Sequence, residues 1–325
     1  MIDRPTLAIL DLVTARITGR HRARFLHAMT TTDVVKMTPG QAGFAMMATS
    51  NGRHIGQVRL EVEADAIVMS GRRASVEAVL EGLKKHKIAD DVKWVVEGAG
   101  EGAPARTTTL AVHGSFASQV LAAVFSGFEG VEGGRWVDVQ HPEHGVCRLV
   151  GLTPTESELA VPTVLVRTAA DGAARLRVRL LAAGAEPMDD ATWDKKRVEA
   201  GWPLDGIDMG SDDVALASDR LGANVSWSKG CFLGQEVYVM ARDRGELPKK
   251  LRAVRLSAGE RPGVGDLVEP VTGKVVGRLG SVVPSGGGWL GLAMMKRKSA
   301  EPGTPLMTAD GRVGRVVMVP LGASL

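Results

Sequence analysis

Lys229-Gly230-Cys231-Phe232-Leu233-Gly234-Gln235-Glu236 is the stretch on which the reading of this chain turns. Two glycines four positions apart flank a thiol, with an ammonium two residues before it and a carboxylate five after. Glycine lets backbone pass close to a ligand or to another segment. A cation beside a thiol favours the thiolate, which is the nucleophilic and metal-ligating form. Gln235 and Glu236 are placed to open a helix, where an acidic side chain meets the positive end of the helix dipole. From the residues alone two readings stand: an activated cysteine on a shaped loop, or a tight turn around a small buried cysteine.

Outward from this stretch the pattern changes on either side. Downstream of Lys250, short β-prone segments at 251–256, 275–279, 289–294 and 313–319 are separated by glycine turns, which predicts a small β-barrel. Gly286-Gly287-Gly288 lacks the Lys-Ser/Thr of a phosphate loop and reads as a hairpin turn. Upstream, strands and helices alternate. Strands are expected at 7–10, 42–48, 55–62, 66–69 and 92–96, with Asn51-Gly52 as the turn of a hairpin. Helices are expected at 21–29 and at 75–87, where Val76, Val79, Leu80 and Leu83 recur at helical spacing. Residues 98–104 read as a linker. A second α+β unit follows, with strands at 108–112, 136–139 and 146–150, a helix capped by Ser115, and helices at 175–183 and 192–200.

Composition bounds the function classes. A chain of 325 residues with 44% hydrophobic and 24% charged residues is a globular protein of more than one domain. No apolar run reaches the roughly 20 residues that span a bilayer, and the N-terminus resembles neither a signal nor a transit peptide, so the cytoplasm is the expected compartment. A net charge of +3 is too mild to argue for nucleic acid. The basic clusters Lys84-Lys85-His86-Lys87, Lys195-Lys196-Arg197, Lys249-Lys250 and Lys296-Arg297-Lys298 read as solvated faces, or as a groove for a polyanionic ligand. Cys147 and Cys231 form no CxxC, which points to free thiols, Cys147 being buried in a strand. The seven histidines show no zinc spacing. A metal role for the His141–His144 turn is the lesser reading, and Asp90-Asp91 reads as a capped turn.

The eight residues from Lys229 to Glu236 resemble the K-G-C-[FY]-x-G-Q-E signature of the YgfZ family, which includes related mitochondrial iron–sulfur assembly factors. Glycine-cleavage T-proteins have a similar stretch but as a rule lack the cysteine. A second match is Trp193 through Pro203, similar to W-x-x-x-R-[IV]-E-A-G-x-P, and looser ones are Ile17-Thr18-Gly19, Phe25-Leu26-His27, Thr30-Thr31-Thr32-Asp33-Val34, Ser50-Asn51-Gly52-Arg53, Arg244-Gly245, Gly273 to Gly277 and Pro320-Leu321.

The resemblance implies an α+β, GcvT-like three-domain ring: an N-terminal domain over 1–104, a second α+β domain over 105–247 carrying the signature, and a barrel over 248–325. The first two are open to interleaving in space. It further implies a tetrahydrofolate-binding accessory protein that supports assembly or repair of iron–sulfur proteins, those client or assembly proteins being its partners. Cys231 and Lys229 are then the working pair. Trp193, Arg197, Gly230, Gly234, Gln235, Glu236 and Arg244 are the folate-site candidates, with no metal ligand among them. The alternative it leaves is a folate-dependent aminomethyltransferase.

Overall fold

Strands and helices alternate through the first two thirds of the chain, and strands alone build the rest. The structure is a computed structural model that describes residues 4–98, 105–245 and 247–318. Beyond Gly98 the expected linker lies outside the described residues, as do Val319 and Pro320-Leu321.

In chain order the elements are β1 (Thr6–Leu10), β2 (Leu12–Thr18), α1 (Arg22–Met29), β3 (Ala42–Ala48), β4 (His54–Val62), β5 (Ile67–Arg72), α2 (Arg73–His86) and β6 (Lys93–Val96). Then come β7 (Thr107–His113), α3 (Ala117–Val124), β8 (Trp136–His141), β9 (Gly145–Leu152), β10 (Thr163–Ala169), α4 (Ala173–Ala182), β11 (Glu186–Pro187) and α5 (Asp190–Glu199). The last are α6 (Asp219–Gly222), α7 (Gln235–Arg244), β12 (Lys249–Leu256), β13 (Gly265–Val268), β14 (Val275–Ser285), β15 (Gly288–Lys296), β16 (Pro305–Thr308) and β17 (Val313–Val317).

The strands form a five-stranded sheet in the order β3-β4-β5-β2-β6, a six-stranded sheet in the order β11-β1-β7-β10-β9-β8, and a closed barrel β12-β15-β14-β13-β16-β17. This is the mixed α+β architecture with a C-terminal barrel that the sequence predicts. Chain segments sort into two compact units. The first holds Met1–Met47, Ile55–Asp190 and Asn224–Leu233; the second holds Ala48–His54, Ala191–Ala223 and Gly234–Leu325. Both sheets lie in the first unit and the barrel in the second. The signature stretch is divided after Leu233.

Each sheet of the first unit has its own helices. Val76, Val79, Leu80 and Leu83 of α2 join Phe25 and Leu26 of α1 on the five-stranded sheet, each such fully buried side chain contributing on the order of 2 kcal/mol. Leu121 of α3 and Leu176 and Leu180 of α4 cover the six-stranded sheet. The helix α3 begins at Ala117 with Phe116 at its N-cap and no side-chain cap bond, so Ser115 does not cap it. Between the sheets run buried ion pairs. Glu61 of β4 accepts from Arg167 of β10, and Arg148 of β9 reaches Glu63, just past β4, at 2.6 Å. Within its own sheet Arg148 also pairs with the more exposed Asp138 of β8 at 2.8 Å while stacking 3.8 Å from the Trp136 ring. Among the described residues no helix is long and apolar enough to cross a membrane.

Candidate functional site

The first half of the signature is stitched to the C-terminal end of α1. A helix leaves its last carbonyls without intrahelical partners and carries partial negative charge there. Lys229, only 6% exposed, answers both needs. Its ammonium donates to the carbonyl oxygens of His27, of Thr30 at 2.5 Å and of Thr32 at 3.0 Å. The Leu233 amide donates to Ala28 O at 2.9 Å, and the Ser226 amide to Thr31 O at 3.1 Å. Burial pushes the Lys229 ammonium down to about 8, and Asp33 opposes that shift. All three N–H bonds of Lys229 are thus committed to carbonyls, and none is left over for a thiolate at Cys231.

Cys231 itself is exposed and free. It has no hydrogen-bond partner among the described residues. Phe232 turns inward at 7% exposure, with the Lys229 ammonium 5.0 Å from its ring centroid. The backbone around the sulfur is therefore held by a buried lysine and a buried phenylalanine while the sulfur faces outward. An exposed sulfur on a fixed loop can act as a nucleophile or as a soft metal ligand.

His27 and Asp33 sit beside this loop, and the sequence marks them only as parts of looser family matches. His27 Nδ1 lies 3.2 Å from Asp33 Oδ1. A Cβ at Gly230 would lie 3.6 Å from His27 Nε2, an ordinary contact. Burial first, then the Lys229 charge, holds the imidazole below its usual value. Asp33 is held low chiefly by its hydrogen bond with Lys36.

The second half of the signature belongs to the other unit. Gly234 is the N-cap of α7 with φ 79°, a left-handed conformation that suits glycine. A Cβ there would overlap the Thr49 carbonyl oxygen and lie 3.1 Å from Gly52 Cα. A Cβ on Gly52, itself at φ +70°, would overlap the Val237 side chain of α7. The Asn-Gly hairpin turn and the start of α7 thus meet backbone to backbone. Gln235 is half-buried, while Glu236 and Arg244 are exposed at the two ends of α7. Neither the Glu236 nor the Arg244 side chain has a hydrogen bond or ion pair among the described residues.

Trp193 and Arg197 occupy successive turns of α5, their groups 6.0 Å apart. Trp193 is 6% exposed and Arg197 fully buried. The Arg197 guanidinium has five N–H bonds, and all are used. Two go to Asp194 at 2.9 and 2.5 Å, one to Trp202 O at 2.7 Å, one to Asp208 at 3.1 Å and one to Ser281 Oγ at 2.8 Å. Asp208 in turn accepts from the Leu204 and Ser281 amides. This network ties α5 to strand β14.

The remaining candidates have structural roles. Asp90 pairs with Arg24 at 2.9 Å, and the Asp91 carbonyl accepts from the His21 amide at the start of α1. His141 and His144 stack at the β8–β9 turn with centroids 4.4 Å apart, both buried. Among the described residues no group of three His, Cys, Asp or Glu is placed to hold a metal ion. Cys147 is buried on β9, as the sequence predicts.

No family model matches the chain. Among curated proteins, a putative chloroplastic transferase of Arabidopsis thaliana is 26% identical over 94% of this chain and 68% of its own length. The tRNA-modifying protein YgfZ of Yersinia enterocolitica is 26% identical over 85% of this chain and 78% of its own, and that of Yersinia pestis 24% identical over 98% and 92%. Among solved structures, glycine cleavage system aminomethyltransferase T from Bartonella henselae superposes with a TM-score of 0.75 over 98% of this chain and 86% of its own, at 15% identity. The chain is thus similar in sequence to YgfZ proteins and in fold to an aminomethyltransferase T. In this chain the signature is two pieces of construction: a lysine-pinned loop that exposes Cys231, and a glycine-started helix that exposes Glu236 and Arg244.

Proposed function

We propose that this chain is a tetrahydrofolate-binding accessory factor for iron–sulfur proteins, with Cys231 as its working thiol. The observation that carries the proposal is an exposed, unpartnered sulfur on a loop fixed from below by Lys229. A thiol kept for packing would be buried, as Cys147 is.

The donor set on α7 fits a folate. A pterin presents N–H groups along one edge, and a carboxylate is the complementary acceptor. Glu236 is an exposed carboxylate with no ion pair among the described residues, and Arg244 is a guanidinium suited to a glutamyl carboxylate. We assign Glu236 to the pterin edge, Gln235 to orienting it and Arg244 to the acidic tail. Trp193 and Arg197 act by holding α5 in place, since one is buried and the other has no free N–H. Bound tetrahydrofolate would supply one-carbon chemistry or a redox-sensitive pterin. The aminomethyltransferase alternative rests on likeness of fold.

Titration of the purified chain with tetrahydrofolate, followed by calorimetry and tryptophan fluorescence, tests the ligand. Saturable binding is expected, weakened roughly tenfold in Glu236→Gln, the size of one lost charged hydrogen bond. Absence of saturable binding would remove folate from the proposal.

A further inference from the structure

The barrel carries a feature that the folate reading does not use. On β12, Val254 and Leu256 enter the barrel core, so by strand alternation Arg255 faces outward. In the ladder with β17, Arg255 lies directly opposite Arg315. Like charges at directly opposed positions are destabilising, because their Cβ atoms are only about 5 Å apart. The cost is usually relieved by a carboxylate. Here neither guanidinium has a hydrogen bond or ion pair among the described residues. Asp310, in the turn before β17, is engaged by Thr308 and lies 3.8 Å from Arg312. Arg312 in turn donates to the Ser257 and Ala258 carbonyls.

The two free arginines line an open pocket of about 350 Å³, together with Ser257, Ser285 and the glycine turn. That turn makes room for one of them. Gly286 and Gly287 have φ of 60° and 76°, and a Cβ on Gly286 would lie 3.0 Å from Arg255 Nη1. A larger residue at 286 would thus be strained in its backbone and would crowd the guanidinium.

We propose that this face of the barrel is an oxyanion site, in which Arg255 and Arg315 hold a phosphate or pyrophosphate group between them. Two forked donors match a multiply charged tetrahedral anion, whereas one guanidinium suffices for a carboxylate. Ser257 and Ser285 supply neutral donors at the rim. An open pocket of this volume has room for the anionic end of a small phosphorylated molecule. The chain's net charge of +3 provides no broad field for a long polyanion.

Calorimetry with inorganic pyrophosphate on the full chain is the test. Saturable binding is expected, weakened by roughly tenfold or more in Arg255→Gln and in Arg315→Gln and lost in the double variant. Without pyrophosphate, Arg315→Gln is expected to melt no lower than wild type, since it removes like-charge repulsion. That measurement also shows the variant to be folded. Failure to saturate with pyrophosphate, or undiminished binding in a folded double variant, overturns the proposal. Binding of a short oligonucleotide with none of pyrophosphate overturns it equally, in favour of a nucleic-acid surface.

Discussion

Gly234 and Thr49 approach so closely that the Thr49 carbonyl oxygen occupies the space where any side chain at position 234 would begin. With φ at 79°, the same glycine is also in a conformation that L-residues avoid. Gly234→Ala is therefore expected to destabilise the chain by roughly 3 kcal/mol, from left-handed strain and overpacking together. Gly230→Ala should cost less than about 1 kcal/mol, because its Cβ would meet His27 at an ordinary distance. Urea denaturation of the two variants checks this, and equal losses would contradict it.

Lys229 leaves a pH signature. Its folded value of about 8 lies below the ordinary 10.5. The native chain thus releases this proton before the unfolded chain does. Between about pH 8 and 10.5 the unfolded state binds more protons, so this group's contribution to stability rises with pH in that window and is flat below it. The stability of wild type minus that of Lys229→Met should rise across the window, and a fall would contradict the assignment. At neutral pH the variant should lose about 3 kcal/mol, since the carbonyls of His27, Thr30 and Thr32 lose their donor.

Asp208 and Arg197 form a fully buried pair. Removing one partner of such a pair leaves a charge uncompensated, at about 3 kcal/mol or more. Asp208→Ala is expected to show that loss in urea denaturation. A change within about 0.5 kcal/mol would mean that Asp194 alone satisfies the arginine.

These roles mark the limit of what the sequence discloses. The helix α2 is legible because Val76, Val79, Leu80 and Leu83 repeat at helical spacing, and the β3–β4 hairpin because Asn51-Gly52 fixes its turn. The strands β13 and β16 are not, being four residues long beside glycine and proline. Strand β10 contains the short apolar run Val164-Leu165-Val166, where periodicity cannot choose between strand and helix. Lys229 looks like a partner of Cys231 because the two lie so close in sequence. Its acceptors lie about 200 positions away, His27 being 202 residues distant, and no local pattern reveals them. Arg197 shows the same limit, since Ser281 is 84 residues on.

The two cysteines should differ sharply in reactivity. Cys147 is fully buried, and burial pushes its thiol up, whereas Cys231 is exposed. Iodoacetamide should label Cys231 in the native chain and reach Cys147 only on unfolding. Comparable native labelling of both would contradict an outward-facing sulfur at 231.

Replacement of Cys231 by serine tests the central claim most directly. Because the thiol is exposed and free, Cys231→Ser should leave the melting temperature unchanged. Cells that depend on this chain should then lose iron–sulfur enzyme activity when they carry only the variant. Full iron–sulfur enzyme activity in those cells, with the variant present at wild-type levels, would contradict a working role for the thiol.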